Sequence, residues 1–366
     1  MTLLESIPPE ILRLEEKSPQ AWRTILFPAA LAYGGVVRLR AALYRAGIFR
    51  KRRLGGIVIS VGNLTVGGTG KTPMVLWLAD RLCAEGKQPA ILTRGYRGGA
   101  QADATGVPRA DEVALLRERL SGRAQLGVGK DRYSTGKVLE RHGAEWFILD
   151  DGFQHLALER DADIVLIDAA DPFGGGRLLP AGRMREPRTA LARSDIIVIT
   201  RTEHAPGLET MVRRFTTSPV FYAQAELAAV LRAPAMQVAL PMDRTSVKFF
   251  AFCGIGNPAA FFYDLRRWAF PVVGERRFPD HHRYSAQDVS ALERDAASAG
   301  AEALVCTEKD VFNLREALPT AMPVYVCRVQ LMLFDAERFW SAILEAVRRR
   351  RAGSITSATS LTGATR

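Results

Sequence analysis

Short apolar runs recur along the middle of the chain and set its reading frame. Ile57–Gly62, Ala90–Thr93, Trp146–Leu149, Ile164–Ile167 and Ile196–Thr200 each read as a buried strand, because four to six apolar residues end at a glycine or polar turn. Between them, Pro73–Ala84 and Asp111–Leu120 carry helical periodicity, while 97–110 is rich in Gly, Ala and Asp and reads as a loop. Strands alternating with helices predict βαβ units and a mostly parallel α/β sheet. Near 215–245 the pattern changes to alternating segments, Val220–Ala225 and Met236–Leu240, which predict a linking hairpin. A second strand–turn–helix unit starts at Phe249, and Leu304–Cys306 and Val324–Cys327 add strands to it. The small polar tail from 351 to 366 predicts disorder.

The N-terminal part breaks this rhythm. Ile25–Val37 is apolar, interrupted by Pro28 and Gly34-Gly35, and an arginine-rich flank follows it. From Lys17 to Ala79 there is no acidic residue, against ten basic ones. Thirteen helical residues cover about 20 Å, short of a hydrocarbon core of about 30 Å. Extension to Ile48 would bury Arg38, Arg40 and Arg45 at up to ~3 kcal/mol each. Glu5, Glu10, Glu15 and Glu16 precede the run, which argues against a secretory leader. Two readings remain: a helix lying in the headgroup plane of an anionic leaflet, or an ordinary packing helix with a solvated basic face.

Composition narrows the class. The 366 residues suggest two domains at roughly 150 residues each. The formal charge of +11 arises largely from the N-terminal stretch. Four scattered cysteines, Cys83, Cys253, Cys306 and Cys327, form no CxxC pair, which excludes a zinc ribbon and a disulfide scaffold. The expected organisation is an N-terminal helical membrane-associating segment (1–54), a nucleotide-binding domain (55–215), a linker hairpin (216–245), a smaller α/β domain (246–350) and the tail.

The most informative stretch runs from Gly62 to Thr72. It follows a strand and precedes a helix, the setting in which glycine-rich backbone cradles phosphates. Thr65, Val66, Gly67, Gly68, Thr69, Gly70, Lys71 and Thr72 are the candidate ATP-binding residues, with Lys71 reaching the β/γ-phosphates and the Thr72 hydroxyl available to Mg²⁺. The usual first glycine of G-x-x-x-x-G-K-[ST] is Thr65 here. This loop makes the expected fold P-loop NTPase-like, with a second, smaller α/β domain.

Downstream, Asp150-Asp151 end an apolar strand, where such folds place an acid on the magnesium side. Asp111-Glu112 open a helix. They either complement its dipole or supply a general base. Phe278–Tyr284 contains adjacent His281 and His282. These are either plain surface or a histidine that orients a carboxylate. Arg177, Arg183, Arg185 and Arg188 make a basic loop that could meet a phosphorylated substrate. Asn257 and Pro258 fit the N-cap and first turn of a helix.

Taken in order, these motifs resemble the tetraacyldisaccharide 4′-kinases, the lipid A 4′-kinase family. The likeness runs through Val61–Pro73, Thr93–Tyr96, Asp111-Glu112, Asp150–His155, Gly176–Gly182, Gly254–Pro258, Asp280–His282 and Thr307–Asp310, and covers roughly residues 20–345. Threonine in place of the first glycine is the family's own form, whereas Ala110 stands where the family usually has glycine. The resemblance implies transfer of the ATP γ-phosphoryl group to the 4′-hydroxyl of a lipid A disaccharide 1-phosphate, at the cytoplasmic face of the bacterial inner membrane. It implies Asp111 as base with His281 (or its neighbour His282) as partner, and Lys71 and Asp151 at the transferring phosphate. Thr72, Asp150, Asp151 and Glu112 are the candidate magnesium ligands, and Asn63, Arg94 and Arg185 the candidate substrate contacts. The expected partners are that lipid and an anionic membrane surface, with no nucleic acid and no obligate protein. Two rival classes remain on the residues alone. One is a P-loop NTPase switch or metallochaperone, which lacks its paired cysteines here. The other is a nucleic-acid-dependent ATPase, which the apolar run beside the arginines disfavours.

Overall fold

The computed structural model describes residues 26–95, 111–239, 246–314, 317 and 320–362, with the side chains of Asp111 and of 354–362 outside the description. The loop expected at 97–110 falls outside it. The chain runs α1 (Phe27–Arg45), β1 (Ile57–Asn63), α2 (Lys71–Ala84), β2 (Pro89–Thr93), α3 (Asp111–Leu120), β3 (Gln125–Val128), α4 (Arg132–Arg141), β4 (Trp146–Asp150), β5 (Ala162–Asp168), β6 (Ile196–Thr200) and α5 (Pro206–Arg213). It continues through β7 (Val220–Arg232), β8 (Gln237–Val238), β9 (Phe249–Cys253), α6 (Pro258–Arg267), β10 (Val272–Arg277), α7 (Ala286–Ser298), β11 (Ala303–Thr307), α8 (Glu308–Leu314), β12 (Val324–Leu333) and α9 (Ala336–Thr362).

Two compact units emerge. The first gathers residues from 1–94, 120–224 and 332–366, the second from 95–119 and 225–331. This partition departs from the sequence-based one in two places. The described residues 111–119, most of α3, join the second unit. The chain from Met332 returns to the first, so that unit closes on the C-terminal helix rather than at 215. The return is held by charge. Arg349 and Arg350 pair with buried Asp195 at 2.8 and 2.6 Å, and Arg351 reaches Asp161 at 3.3 Å. That anchored turn lets α9 continue to Thr362, where composition predicts a disordered tail from 351, because extending a helix needs no new nucleus.

In the first unit the strands lie in the order β7-β6-β5-β1-β4-β2-β3, all parallel. Parallel strands are covered on both faces, which explains their unbroken apolar runs: all seven residues of β5 are buried. β1 sits between β4 and β5, where the chain turns from one side of the sheet to the other. Ligands bind at such a point, beyond the carboxyl ends of the strands. Asn63, Thr93, Asp150, Asp168 and Thr200 end β1, β2, β4, β5 and β6 there, and all are buried.

The second unit carries β10-β9-β11-β12-β7, with β9, β10, β11 and β12 mutually parallel and β8 antiparallel on β7. Leu292, Phe252, Cys306 and Val326 fill one side of this sheet, and Phe249, Phe262, Leu265 and Val305 the other. As the sequence predicts, Asn257 caps α6, its Oδ1 accepting from Ala260 N–H, with Pro258 in the first turn.

Candidate active site

The phosphate loop is shaped by what surrounds it. Gly62 has no room for a side chain: a Cβ there would lie 2.6 Å from the Phe153 Cβ and 2.7 Å from its nitrogen. Gly67 (φ 123°) and Gly70 (φ 88°) adopt left-handed backbone, and Gly70 is the N-cap of α2. That helix begins at Lys71, two residues before the apolar periodicity starts. Lys71 and Thr72 therefore form the first turn, where unpaired N–H groups and the helix dipole favour an anion. A Cβ on Gly68 would meet nothing within 4 Å, so the middle of the loop borders open space.

Hydrogen bonds brace this cradle. Asn63 Nδ2 donates to Thr69 Oγ1 at 2.9 Å, and Thr200 Oγ1 donates to the Thr69 carbonyl at 3.2 Å. Val66 N–H reaches the Arg183 carbonyl and Arg185 N–H the Leu64 carbonyl, at 2.8 and 2.7 Å. Arg201, itself at φ 71°, donates Nε to Asp168 Oδ2 at 2.8 Å and Nη2 to the Gly68 carbonyl at 3.3 Å. Arg201 and Asp168 were not singled out by sequence. Their only signal is that each follows or ends an apolar strand on the ligand-binding edge.

Opposite Lys71 lies the double aspartate. Asp151 is left-handed at φ 51°, in a turn where a Cβ on Gly152 would strike Ser60 and Leu149 at 2.6 and 2.7 Å. Such backbone persists where the surroundings over-determine it. Arg185 holds both carboxylate oxygens, at 2.7 and 2.8 Å, and Lys71 Nζ stands 3.6 Å from Oδ1. Burial alone would raise the Asp151 carboxyl, but the Lys71 ammonium and Arg185 guanidinium outweigh it and hold it well below the usual carboxylate range. Asn63 Oδ1 accepts from Lys71 Nζ at 3.4 Å and from Arg185 Nη2. Asp150 accepts from Thr93 Oγ1 at 3.1 Å. Lys71, Asn63, Arg185 and Asp151 thus converge in one network, while Arg94 is exposed at the end of β2.

Hard oxygen donors, the Thr72 hydroxyl and the Asp150 carboxylate, follow the phosphate cradle. No group of three or more Asp, Glu, His or Cys among the described residues could hold a metal by itself. A set this sparse suits Mg²⁺, which takes one or two protein ligands and fills its shell with phosphate and water. Asp151, which the sequence also offers as a magnesium ligand, pairs here with Lys71 and Arg185.

The remaining candidates lie in the second unit. Glu112, a candidate magnesium ligand from the sequence, pairs with Lys309 Nζ at 2.6 Å. Asp111 is the first residue of α3. His281 is left-handed at φ 61°, with its Nε2 3.7 Å from Asp280 Oδ2. His282 instead stacks on Phe278 and meets Asp288 at 3.2 Å. Beneath them, buried Asp310 accepts from Gly254 N–H, Tyr284 Oη and Thr307 Oγ1 at 2.7, 2.8 and 2.6 Å. It thereby ties three of the motif segments together.

A family model described as LpxK, tetraacyldisaccharide-1-P 4′-kinase, matches residues 22–348. The chain belongs to the tetraacyldisaccharide-1-P 4′-kinase family. A tetraacyldisaccharide 4′-kinase of Geobacter sulfurreducens is 40% identical over 325 residues, covering 85% of this chain and 89% of that relative. One from Desulfotalea psychrophila is 36% identical over 331 residues, covering 83% and 91%. The solved structure of LpxK from Aquifex aeolicus in complex with ATP is 30% identical, with a TM-score of 0.70, and covers 89% of this chain and 99% of that one. As a tetraacyldisaccharide-1-P 4′-kinase family member the chain is a kinase, which sets aside the NTPase-switch and nucleic-acid readings.

Proposed function

We propose that the protein transfers the γ-phosphoryl group of ATP to the 4′-hydroxyl of a tetraacyldisaccharide 1-phosphate in lipid A biosynthesis. The observation that carries this reading is the first turn of α2, which presents Lys71 and Thr72 beside Asn63 and Asp151 at the carboxyl edge of a parallel sheet. Phosphoryl transfer asks a protein mainly for positioning and charge neutralisation. Loop amides from Thr65 to Thr72 and Lys71 hold the phosphates. Asp151, kept ionised by Arg185, fixes the Lys71 ammonium in place. Thr72 and Asp150 are the residues to hold Mg²⁺, which when bound screens the phosphate charge. The acceptor oxygen bonds to the γ-phosphorus as the bond to the β–γ bridging oxygen breaks, and ADP leaves. Asp111 takes the hydroxyl proton, with His281 as its orienting partner. Arg94 and Arg185 are assigned to acceptor contacts.

We place the enzyme at the cytoplasmic face of the inner membrane, peripherally bound. α1 supports this. Phe27, Leu31, Val36 and Leu39 are between 48% and 65% exposed on it, and Arg38, Arg40 and Arg45 flank them. No described helix is long and apolar enough to cross a membrane.

The test is to incubate the purified full chain with γ-labelled ATP and detergent-dispersed tetraacyldisaccharide 1-phosphate. Label on the lipid is the expected result. Asp111→Ala should abolish transfer while ATP still binds. Label released only as free phosphate, with none on lipid, refutes the reading.

A further inference from the structure

α1 has two unlike sides. At about 100° per residue, Leu31 and Tyr33 point roughly 200° apart, so exposed Leu31 faces outward while Tyr33 turns to the protein. There the Tyr33 hydroxyl donates to the Arg185 backbone carbonyl at 2.9 Å. About two turns further on, Arg40 Nη1 donates to the Gln154 carbonyl at 3.1 Å. Both routes end on Asn63. The Arg185 guanidinium meets Asn63 Oδ1, and Gln154 Nε2 donates to the Asn63 carbonyl at 2.9 Å. Asn63 in turn faces Lys71 and Thr69 of the phosphate loop. Between the two routes, a Cβ at Gly34 would lie 2.7 Å from the Leu178 methyl, so the helix lies close against the same basic segment.

We propose that Tyr33 is a positioning residue through which seating of α1 on a lipid surface sets Arg185, and with it the Asp151–Lys71 pair, for transfer. This rests on the membrane-docking reading above and adds to it a regulation of the same site. A surface that orders α1 fixes the Tyr33 hydroxyl. The hydroxyl fixes the Arg185 carbonyl, and Arg185 cannot then swing away from Asp151. Removing one hydrogen bond forfeits a net ~0.5–1.5 kcal/mol, about two- to twelvefold in rate.

The experiment compares full-length wild type with Tyr33→Phe on acceptor lipid carried in anionic phosphatidylglycerol vesicles. Co-sedimentation with the vesicles, the melting midpoint, kcat and the KM for ATP are read on the same samples. The expected result is equal sedimentation, an unchanged midpoint and ATP KM, and a three- to tenfold lower kcat for the variant. Equal sedimentation with kcat within twofold of wild type overturns the coupling. So does a joint fall of kcat, ATP affinity and melting midpoint, which marks a merely structural hydroxyl. Should wild type itself fail to sediment, the docking reading falls, and the coupling with it.

Discussion

Arg185 grips Asp151 side by side, with Nη1 2.7 Å from Oδ2 and Nη2 2.8 Å from Oδ1. A planar fork makes two parallel bonds to one carboxylate, and an ammonium cannot reproduce them. Arg185→Lys keeps the charge and loses the fork. Asp151 is then free to rotate, and Lys71 loses its fixed counter-charge. Steady-state kinetics should show kcat reduced about ten- to a hundredfold, with thermal stability changed little.

Two glycines of the loop region separate folding from binding. Gly62→Ala drives a methyl into the Phe153 backbone, within 2.7 Å. Overpacking of this kind costs about 1–3 kcal/mol. The melting midpoint should drop by several degrees. Gly68→Ala meets no atom within 4 Å, so its midpoint should match wild type. Its methyl enters the space the phosphates need, and calorimetry should record at least a tenfold loss of ATP affinity.

His155, in the turn after the double aspartate, titrates low. Burial disfavours its cation, and Arg132, Arg160 and Arg40 reinforce this, lowering it to about 4. The unfolded chain therefore binds a proton that the folded chain refuses. Stability from this group is complete above the unfolded value of about 6.5 and is lost as pH falls from there toward 4. Partial exposure discounts the loss to on the order of 2 kcal/mol. Denaturant titrations at pH 7 and pH 4.5 should show that slope, and His155→Gln should flatten it.

Leu31 and Leu39, 59% and 60% exposed on α1, carry apolar area that only a nonaqueous partner would cover. Changing both to glutamate removes about 1.5–3 kcal/mol of burial each and adds repulsion from anionic headgroups. Partition onto anionic vesicles should fall at least a hundredfold, while soluble ATP binding is unchanged. Undiminished partition would show that another surface does the docking.

How much of this was legible in the sequence depends on what holds each piece. β1, β4, β5 and β6 could be read because strands buried on both faces must be apolar throughout, and the motif residues at their ends followed. Asp111–Leu120 emerged as a helix with those bounds. β3 (Gln125–Val128) and α4 (Arg132–Arg141) leave little trace in the pattern, since one is short and glycine-containing and the other has only Tyr133, Val138 and Leu139 as large apolar residues. β10, Val272–Arg277, hid behind three charged residues and a glycine on a sheet edge. The contacts of Tyr33 with Arg185, of Arg40 with Gln154 and of Arg201 with Gly68 join positions more than a hundred residues apart, and local pattern holds no trace of them. The same limit applies to α9. Its final turns look like a solvated tail until Asp195 and Asp161 are placed beneath its arginines.

That clamp has a temporal side. Asp195 is only 7% exposed, and it forms ion pairs with Arg349 and Arg350. A carboxylate sealed from water without its cations costs several kcal/mol. A nascent chain cannot neutralise this carboxylate, which lies beside β5 and β6, until the segment carrying Arg349 and Arg350 has been made. Closure of the first unit thus waits on residues 154 positions downstream of Asp195, and a chain lacking Arg349 and Arg350 would leave that carboxylate sealed without its counter-charge.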